Sequence, residues 1–198
     1  KLDSQNNLFS AYATSYYGSS SLDSTKFTLQ KYDDSLNLIW NSGPLSFGTI
    51  NSMVLDHEDN LYIESMDPIY NSDTMELKIA KMDSNGNILW VHGFGHDGGL
   101  SKYYDVNLVV SPDNYLFLVG EFYPTGYDPQ ANTQTDKAFI IKLDTTGVIL
   151  EHEVILGLSN ISLAAFPQMN GFDLQFMLKY QSLDQSHIFD YCTNCPTT

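Results

Sequence analysis

The residues of this sequence that could perform chemistry begin with two histidines and an aspartate. His92 and His96 are four residues apart, and Asp97 follows directly. On a helix this spacing would place both imidazoles on one face, where they could bind zinc. Glycines are interspersed throughout 92–99, however, so the sequence predicts a loop there and no transition-metal site.

A second candidate is the C-x-x-C pair formed by Cys192 and Cys195. Such a pair can be a redox centre, half of a zinc site or a structural thiol pair. No strand-helix-strand pattern surrounds it, and the chain has no second C-x-x-C. The residues alone leave these alternatives open.

The composition limits the partners. The 198-residue chain is 42% hydrophobic and 13% aromatic, which is sufficient for a packed core. Lys and Arg number 9, all of them lysine, against 24 Asp and Glu, giving a net charge of -15. Nucleic acids and anionic membrane surfaces are therefore expected to be poor partners, whereas calcium or a basic protein surface is compatible. No apolar run reaches the length of a membrane span.

Two phrases recur along the chain and predict the elements that position these residues. An apolar-Asp turn leads into a strand at 2–9, 55–62 and 110–117, and a Lys-x-Asp hairpin occupies 31–40, 81–90 and 142–151. A fainter copy of the first phrase covers 166–174. A period of roughly 50 to 60 residues with four strands is typical of propeller blades.

We therefore expect an all-β fold of four-stranded antiparallel β-propeller blades. About 3.5 repeats are expected, as a segment of a larger propeller, because the chain opens partway through a repeat. The predicted blades are about 1–47, 48–101 and 102–157, with a partial blade at about 158–191 and a C-x-x-C tail at 192–198. The predicted strands are a at 49–55, 104–110 and 161–166; b at 61–65, 116–122 and 172–178; c at 27–32, 77–82 and 138–143; and d at 37–40, 87–92 and 148–155.

The hairpin residues have structural interpretations. The Asp of each Lys-x-Asp can accept backbone N–H groups two residues on, and Gly86 and Gly147 can supply the positive φ of a short hairpin. Leu36 stands at the equivalent place in the first copy, so that turn is expected to differ. Trp40 and Trp90 recur at one strand position and are expected to pack between blades.

The variable loops are the expected binding surface. In an a-b-c-d blade, the b-c and d-a connections share one edge, opposite the repeated turns, and loops on a rigid scaffold commonly carry binding residues. The alternative interpretations are a solvated acidic surface, a protein or glycan contact face, and a calcium site. The candidate binding residues are Tyr16, Tyr17, Asp67, Tyr70, Asp73, His96, Asp97, Tyr123, Tyr127, Asp128 and Asp136.

The repeats resemble those of secreted, bacterial-type seven-bladed propellers, which carry K-x-D-x-x-G-N-x-x-W followed by apolar-D-x-x-G-N-apolar-Y. The resemblance covers about 1–180 and implies an extracellular or cell-surface setting, with Cys192 and Cys195 oxidised to each other or to partners beyond the chain. Cys192 to Pro196 is similar to the start of a cysteine-rich growth-factor-receptor-like repeat. Asn160 lies in an N-x-S sequon and is the candidate glycosylation site.

These features predict a non-enzymatic propeller module that binds protein or glycan or assembles with like subunits. No catalytic residue, metal ligand or cofactor is assigned, calcium being the one ion compatible with the loops. The hairpins are also similar to quinoprotein dehydrogenase repeats, but this chain lacks the arginine and adjacent cysteines of those enzymes. The alternative function is a carbohydrate-active propeller enzyme that uses loop carboxylates.

Overall fold

The structure, a computed structural model, is all-β: the described residues form fourteen strands and no helix, so none of them lies in a helix able to cross a membrane. The strands divide into two compact units, Lys1–Gly95 and His96–Thr198. The described residues are 1–14, 26–68, 75–94, 102–123, 137–155, 161–170, 173–180 and 185–191.

The first unit contains two antiparallel sheets whose strands are neighbours in chain order. The first is β1-β2-β3 and the second is β4-β5-β6-β7. Their bounds are β1 Leu8–Thr14, β2 Lys26–Tyr32, β3 Leu38–Leu45, β4 Thr49–Leu55, β5 Leu61–Pro68, β6 Met75–Met82 and β7 Ile88–Phe94.

The second unit repeats the pattern with a four-stranded sheet, β8-β9-β10-β11, and a three-stranded sheet, β12-β13-β14. Strand β12 lies beside β8 and β9. The bounds are β8 Lys102–Val110, β9 Leu116–Tyr123, β10 Lys137–Leu143, β11 Ile149–Ile155, β12 Ile161–Asn170, β13 Asp173–Tyr180 and β14 Gln185–Tyr191.

The predicted all-β class and the successive antiparallel sheets are confirmed, while their arrangement as propeller blades stays a prediction. The fourth repeat differs from expectation in its first turn. Asn170 pairs with Asp173, so a two-residue connection replaces the five-residue turn predicted within 166–174. Three residues assigned to that turn belong to β12 instead: Gln168, Met169 and Asn170 pair with residues of β13, and the two register irregularities of the strand lie before Gln168. Strand β14 had no predicted counterpart.

The six repeated turns share one backbone geometry. In each, the first residue donates its N–H to the carbonyl of the fifth, and the fourth donates to the carbonyl of the first. The fourth residue has a positive φ in all six, as in a type I turn followed by a left-handed residue. Both phrases are therefore the same hairpin. The fourth residues are Asn6, Leu36, Asp59, Gly86, Asn114 and Gly147.

The expectation that the Leu36 turn differs is wrong. Leu36 adopts φ 64°, and its N–H donates to the Asp33 carbonyl at 3.0 Å as Gly86 does to Asp83. The Asp33 carboxylate also accepts the N–H groups of Ser35 and Asn37 at 2.9 and 2.7 Å. These bonds hold the turn against the left-handed penalty, which is about 1 to 2 kcal/mol for a residue with a Cβ.

The core of the first unit lies between its two sheets. Phe9 and Leu29 of the first sheet are buried with Leu61, Ile63 and Met82 of the second. Trp40, Ile50 and Met53 are partly buried hydrophobic residues packed against this cluster. On β1 and β5 the residues that face this cluster are two apart, Phe9 with Ala11 and Leu61 with Ile63, since side chains alternate along a strand.

Candidate functional site

The predicted binding loops lie mostly outside the described residues. Asp67 and Tyr123 are placed by their backbones, at the ends of β5 and β9 and opposite Glu76 and Lys102 in the neighbouring strands. The predictions outside the described ranges are Tyr16, Tyr17, Tyr70, Asp73, His96, Asp97, Tyr127, Asp128 and Asp136, together with Asn160, Cys192 and Cys195.

The histidine candidate is partly described. His92 belongs to β7, pairs in register with Ile79 and is exposed to solvent. Its ring centroid lies 4.9 Å from that of Trp90. Within the described ranges, no group of three or more His, Cys, Asp and Glu residues could hold a metal ion.

The polar residues of the repeat instead meet in buried ion pairs that the sequence did not predict. Lys31 Nζ lies 2.9 Å from Asp3 Oδ2, and Lys81 Nζ lies 3.4 Å from Asp56 Oδ2. All four side chains are at least nine-tenths buried. The lysine of the second phrase therefore neutralises the aspartate of the first phrase within the same sheet.

Aromatic rings complete the surroundings of these ammonium groups. Lys31 Nζ lies 4.9 Å from the centroid of the Phe9 ring, and Lys81 Nζ lies 4.9 Å from that of Tyr62. A cation over a ring face is attracted by the quadrupole, and more strongly when water is excluded. Each buried lysine thus has a carboxylate and a ring as partners.

The turn aspartates are occupied by hydrogen bonds from their own turns. Asp56 Oδ1 accepts the N–H groups of Glu58 and Asn60 at 3.0 and 2.8 Å, and Asn60 Nδ2 donates to Oδ2 at 2.9 Å. Burial by itself would raise the pKa of Asp56, but the Asn60 and Glu58 bonds and the Lys81 charge together hold the pKa below its usual value. Asp3, Asp33, Asp83 and Asp144 have lowered pKa values through equivalent bonds.

In the third repeat, the carboxylate that pairs with the buried lysine comes from a different position. Ser111 stands where the other copies have Asp3 and Asp56, and its hydroxyl accepts the Tyr115 N–H at 2.9 Å. The buried Lys142 pairs with Glu151 Oε1 at 3.4 Å, and Glu151 stands where the other copies have tryptophan. One substitution thus compensates the other, and the lysine keeps an anionic partner.

Trp40 joins the two sheets of the first unit. Its ring packs edge-on against Phe9, with 5.9 Å between centroids, and its Nε1 donates to the Ser84 carbonyl at 3.0 Å. The ring also covers Gly86, where an added Cβ would lie 3.1 Å from the indole. Lys31 Nζ donates to the same Ser84 carbonyl at 3.3 Å. Trp40 therefore packs between two sheets, as predicted, while the identity of these sheets as propeller blades stays a prediction.

Among the described residues, Glu64 is a buried acid whose pKa is raised. Its side chain on β5 is fully buried, Oε1 accepts from Asn51 Nδ2 at 3.2 Å, and Oε2 has no hydrogen-bond partner. Burial raises its pKa to about 8, and the hydrogen bonds from Asn51 and the Ser52 backbone only partly oppose this shift. The carboxyl is therefore neutral at pH 7.

These arrangements stabilise the fold and are poorly suited to proton transfer. The turn carboxylates have lowered pKa values, which makes them weak bases at neutral pH. The pKa of Glu64, about 8, would suit a general acid or base at neutral pH, but its side chain is fully buried and has no surface that a substrate could contact. The ends of the sheets that carry the repeated turns therefore have a structural role.

Comparisons with known proteins do not identify the chain. No known protein family and no curated protein matches the sequence. One similar solved structure is a protein of unknown function from Bacteroides caccae, at 9% identity, covering 93% of this chain and 73% of that chain with a TM-score of 0.34. A similarity at this level supports no argument about fold or function.

Proposed function

We propose that this chain is a non-enzymatic binding or assembly module of the β-propeller type, whose partner contacts the b-c and d-a loops. The observation that carries the proposal is the internal use of the repeated polar residues. Two buried lysines form ion pairs with aspartates of the repeat, Lys31 with Asp3 and Lys81 with Asp56. The carboxylates of these turn aspartates also accept hydrogen bonds from backbone N–H groups of their own turns. Function is then left to the loops that the repeat does not fix.

The direction of the strands supports the same division. In the first unit, the repeated turns join β4 to β5 and β6 to β7, at one end of the second sheet. Because neighbouring strands are antiparallel, the β5 to β6 connection leaves from the opposite end. Tyrosine and aspartate in such connections suit a protein or glycan surface.

An extracellular or cell-surface setting is part of the proposal and is supported by the repeat resemblance. In such a setting Cys192 and Cys195 are expected to be disulfide-bonded. Alkylation of protein purified from its native source without reductant, followed by intact-mass measurement, tests this. Two alkylated cysteines would contradict the setting and would leave the fold untouched.

The functional test compares variants of the two ends of the sheets. The loop variant carries Tyr127→Ala and Asp128→Asn, and the matched control carries Asp34→Asn and Glu58→Gln on exposed repeat turns. Binding is measured on a glycan array, and self-association by sedimentation velocity at several concentrations. We expect the loop variant to lose the binding or association that the control retains. Equal losses in both would contradict the loop assignment.

The enzymatic alternative is tested with the same proteins. Chromogenic glycosides are incubated with the wild type and with Asp128→Asn and Asp136→Asn variants. Turnover by the wild type that either substitution abolishes would replace the binding proposal with a glycoside hydrolase.

A further inference from the structure

A pair of exposed apolar residues recurs at the same place on three edge strands. These apolar edge pairs are Leu38 and Ile39 on β3, Ile88 and Leu89 on β7, and Ile149 and Leu150 on β11. Each of these strands is the last in its sheet. The six side chains are between 45% and 52% exposed.

The recurrence separates these pairs from scattered surface hydrophobics. Single exposed apolar residues are ordinary, but an apolar edge strand is an aggregation hazard that proteins usually limit with charge or proline. Here the positions directly before Trp40 and Trp90 are apolar in both sheets of the first unit. Glu151 replaces the tryptophan on β11, yet Ile149 and Leu150 are kept.

The local backbone disfavours addition of another strand at these edges. Tyr32 pairs with Leu38 and Lys31 with Trp40, so Ile39 has no residue opposite it. Leu89 and Leu150 are skipped in the same way in their sheets. Such a bulge interrupts the ladder that an incoming strand would extend. A partner would therefore contact the side chains and not the edge backbone.

Acidic residues lie near two of the three pairs. Asp34 is exposed four residues before Leu38, and Glu151, which directly follows Leu150, is half exposed although Lys142 neutralises part of its charge. The lysine opposite the residue that follows each pair is buried beside a carboxylate and a ring, whereas Lys78 on β6 is partly exposed and pairs with Glu76. These buried lysines are Lys31, Lys81 and Lys142. Because the chain carries a net charge of -15, these edges favour a cationic partner over a second copy of the chain.

We propose that the apolar edge pairs are docking surfaces for a polypeptide that presents apolar side chains flanked by lysine or arginine, as a basic amphipathic helix does. Apolar contact supplies affinity, and the acidic surroundings select the charge. This surface is independent of the loops assigned under the proposed function, because it lies on the edge strands that follow the Lys-x-Asp turns.

The test uses the full chain and two labelled peptides of helical period, one of leucine and lysine and one of leucine and glutamate, in fluorescence anisotropy. We expect the Leu-Lys peptide to bind and the Leu-Glu peptide not to bind. The triple variant Leu38→Thr, Leu89→Thr, Leu150→Thr should weaken the affinity by about tenfold or more, as loss of interface anchors does.

The control is Leu2→Thr, which should leave binding unchanged. Leu2 is an exposed apolar residue, at 61%, that pairs with Leu8 of β1 at the other edge of the sheet from β3. Circular dichroism confirms that each variant folds, and the single variant Leu89→Thr replaces the triple one if the latter does not. Equal binding of the Leu-Lys peptide to the wild type and the edge variant would overturn the proposal, because the contact would then be electrostatic only. A dimer in sedimentation that the edge variant abolishes would also overturn it.

Discussion

At the scale of single residues, the hydrogen bonds of a turn can outweigh the preference of one side chain. Leu36 takes the left-handed position that glycine fills at 86 and 147, and its side chain is 68% exposed, so packing does not hold it there. The Asp33 carboxylate and the Asp33 carbonyl fix the turn instead. The rule that glycine is needed at a left-handed position failed at Leu36, because the hydrogen bonds to Asp33 hold the turn in this geometry without glycine.

Leu36→Gly should therefore stabilise the protein by about 1 kcal/mol, because glycine adopts a positive φ without the Cβ penalty. Thermal or urea unfolding measures the change. Leu36→Ala is the matched control, since it removes the exposed side chain but keeps the Cβ, and it should give no comparable gain. A gain of the same size from alanine would show that hydrophobic exposure, and not φ, is the cause.

At the scale of elements, the sequence predicted strands and turns well, and missed what joins them. The alternation and the Asp-x-x-x-Asn spacing are local, so the positions of β5, β6 and the turn of Asp83 could be predicted from short windows. The pairing of Lys81 with Asp56 crosses a variable connection, and the burial of Glu64 depends on the packing of a whole sheet. No short-range pattern carries that information.

Lys81→Met should destabilise the protein by about 3 to 5 kcal/mol, because it leaves the buried Asp56 carboxylate without its cation. The chain offers a matched control in Lys78, which pairs with Glu76 at 3.2 Å but is partly exposed. Lys78→Met should cost less than about 1 kcal/mol. The double variant with Asp56→Asn should recover part of the loss, and equal costs for the two lysines would refute the buried pair.

Trp40→Ala should cost about 3 kcal/mol, since it removes both the ring that covers Gly86 and the donor to the Ser84 carbonyl. Tyr12→Ala removes an exposed aromatic residue of the first sheet and should cost little. Chemical denaturation of the two variants measures the contrast. A negligible effect at Trp40 would mean that the sheets of the first unit do not depend on this contact.

At the scale of the whole molecule, the turn aspartates and Glu64 make the free energy of unfolding depend on pH in opposite directions. The turn aspartates have lowered pKa values in the folded state, so their contribution is present above the unfolded pKa of about 3.8 and is lost as the pH falls below it. Glu64 has a raised pKa, so its contribution is complete below about 4.5 and is lost as the pH rises to about 8.

The free energy of unfolding should therefore be largest near pH 4 to 5 and decline towards pH 8, by on the order of 3 to 5 kcal/mol from Glu64. Glu64→Gln mimics the neutral carboxyl and should abolish most of the decline on the alkaline side while leaving the acid side unchanged. Urea titrations at several pH values measure both limbs. An unchanged alkaline limb in the variant would contradict the assignment to Glu64.

The contact made by Trp40 has a consequence for how such a chain can lengthen. The second sheet carries both halves of that contact, since Trp90 corresponds to Trp40 and the turn of Ser84 and Gly86 is the surface that Trp40 meets. A tandem duplication of this segment would place one copy's tryptophan beside the other copy's turn without any new complementary surface. A gain of one repeat by duplication of the gene segment would therefore need no new interface residues for this contact.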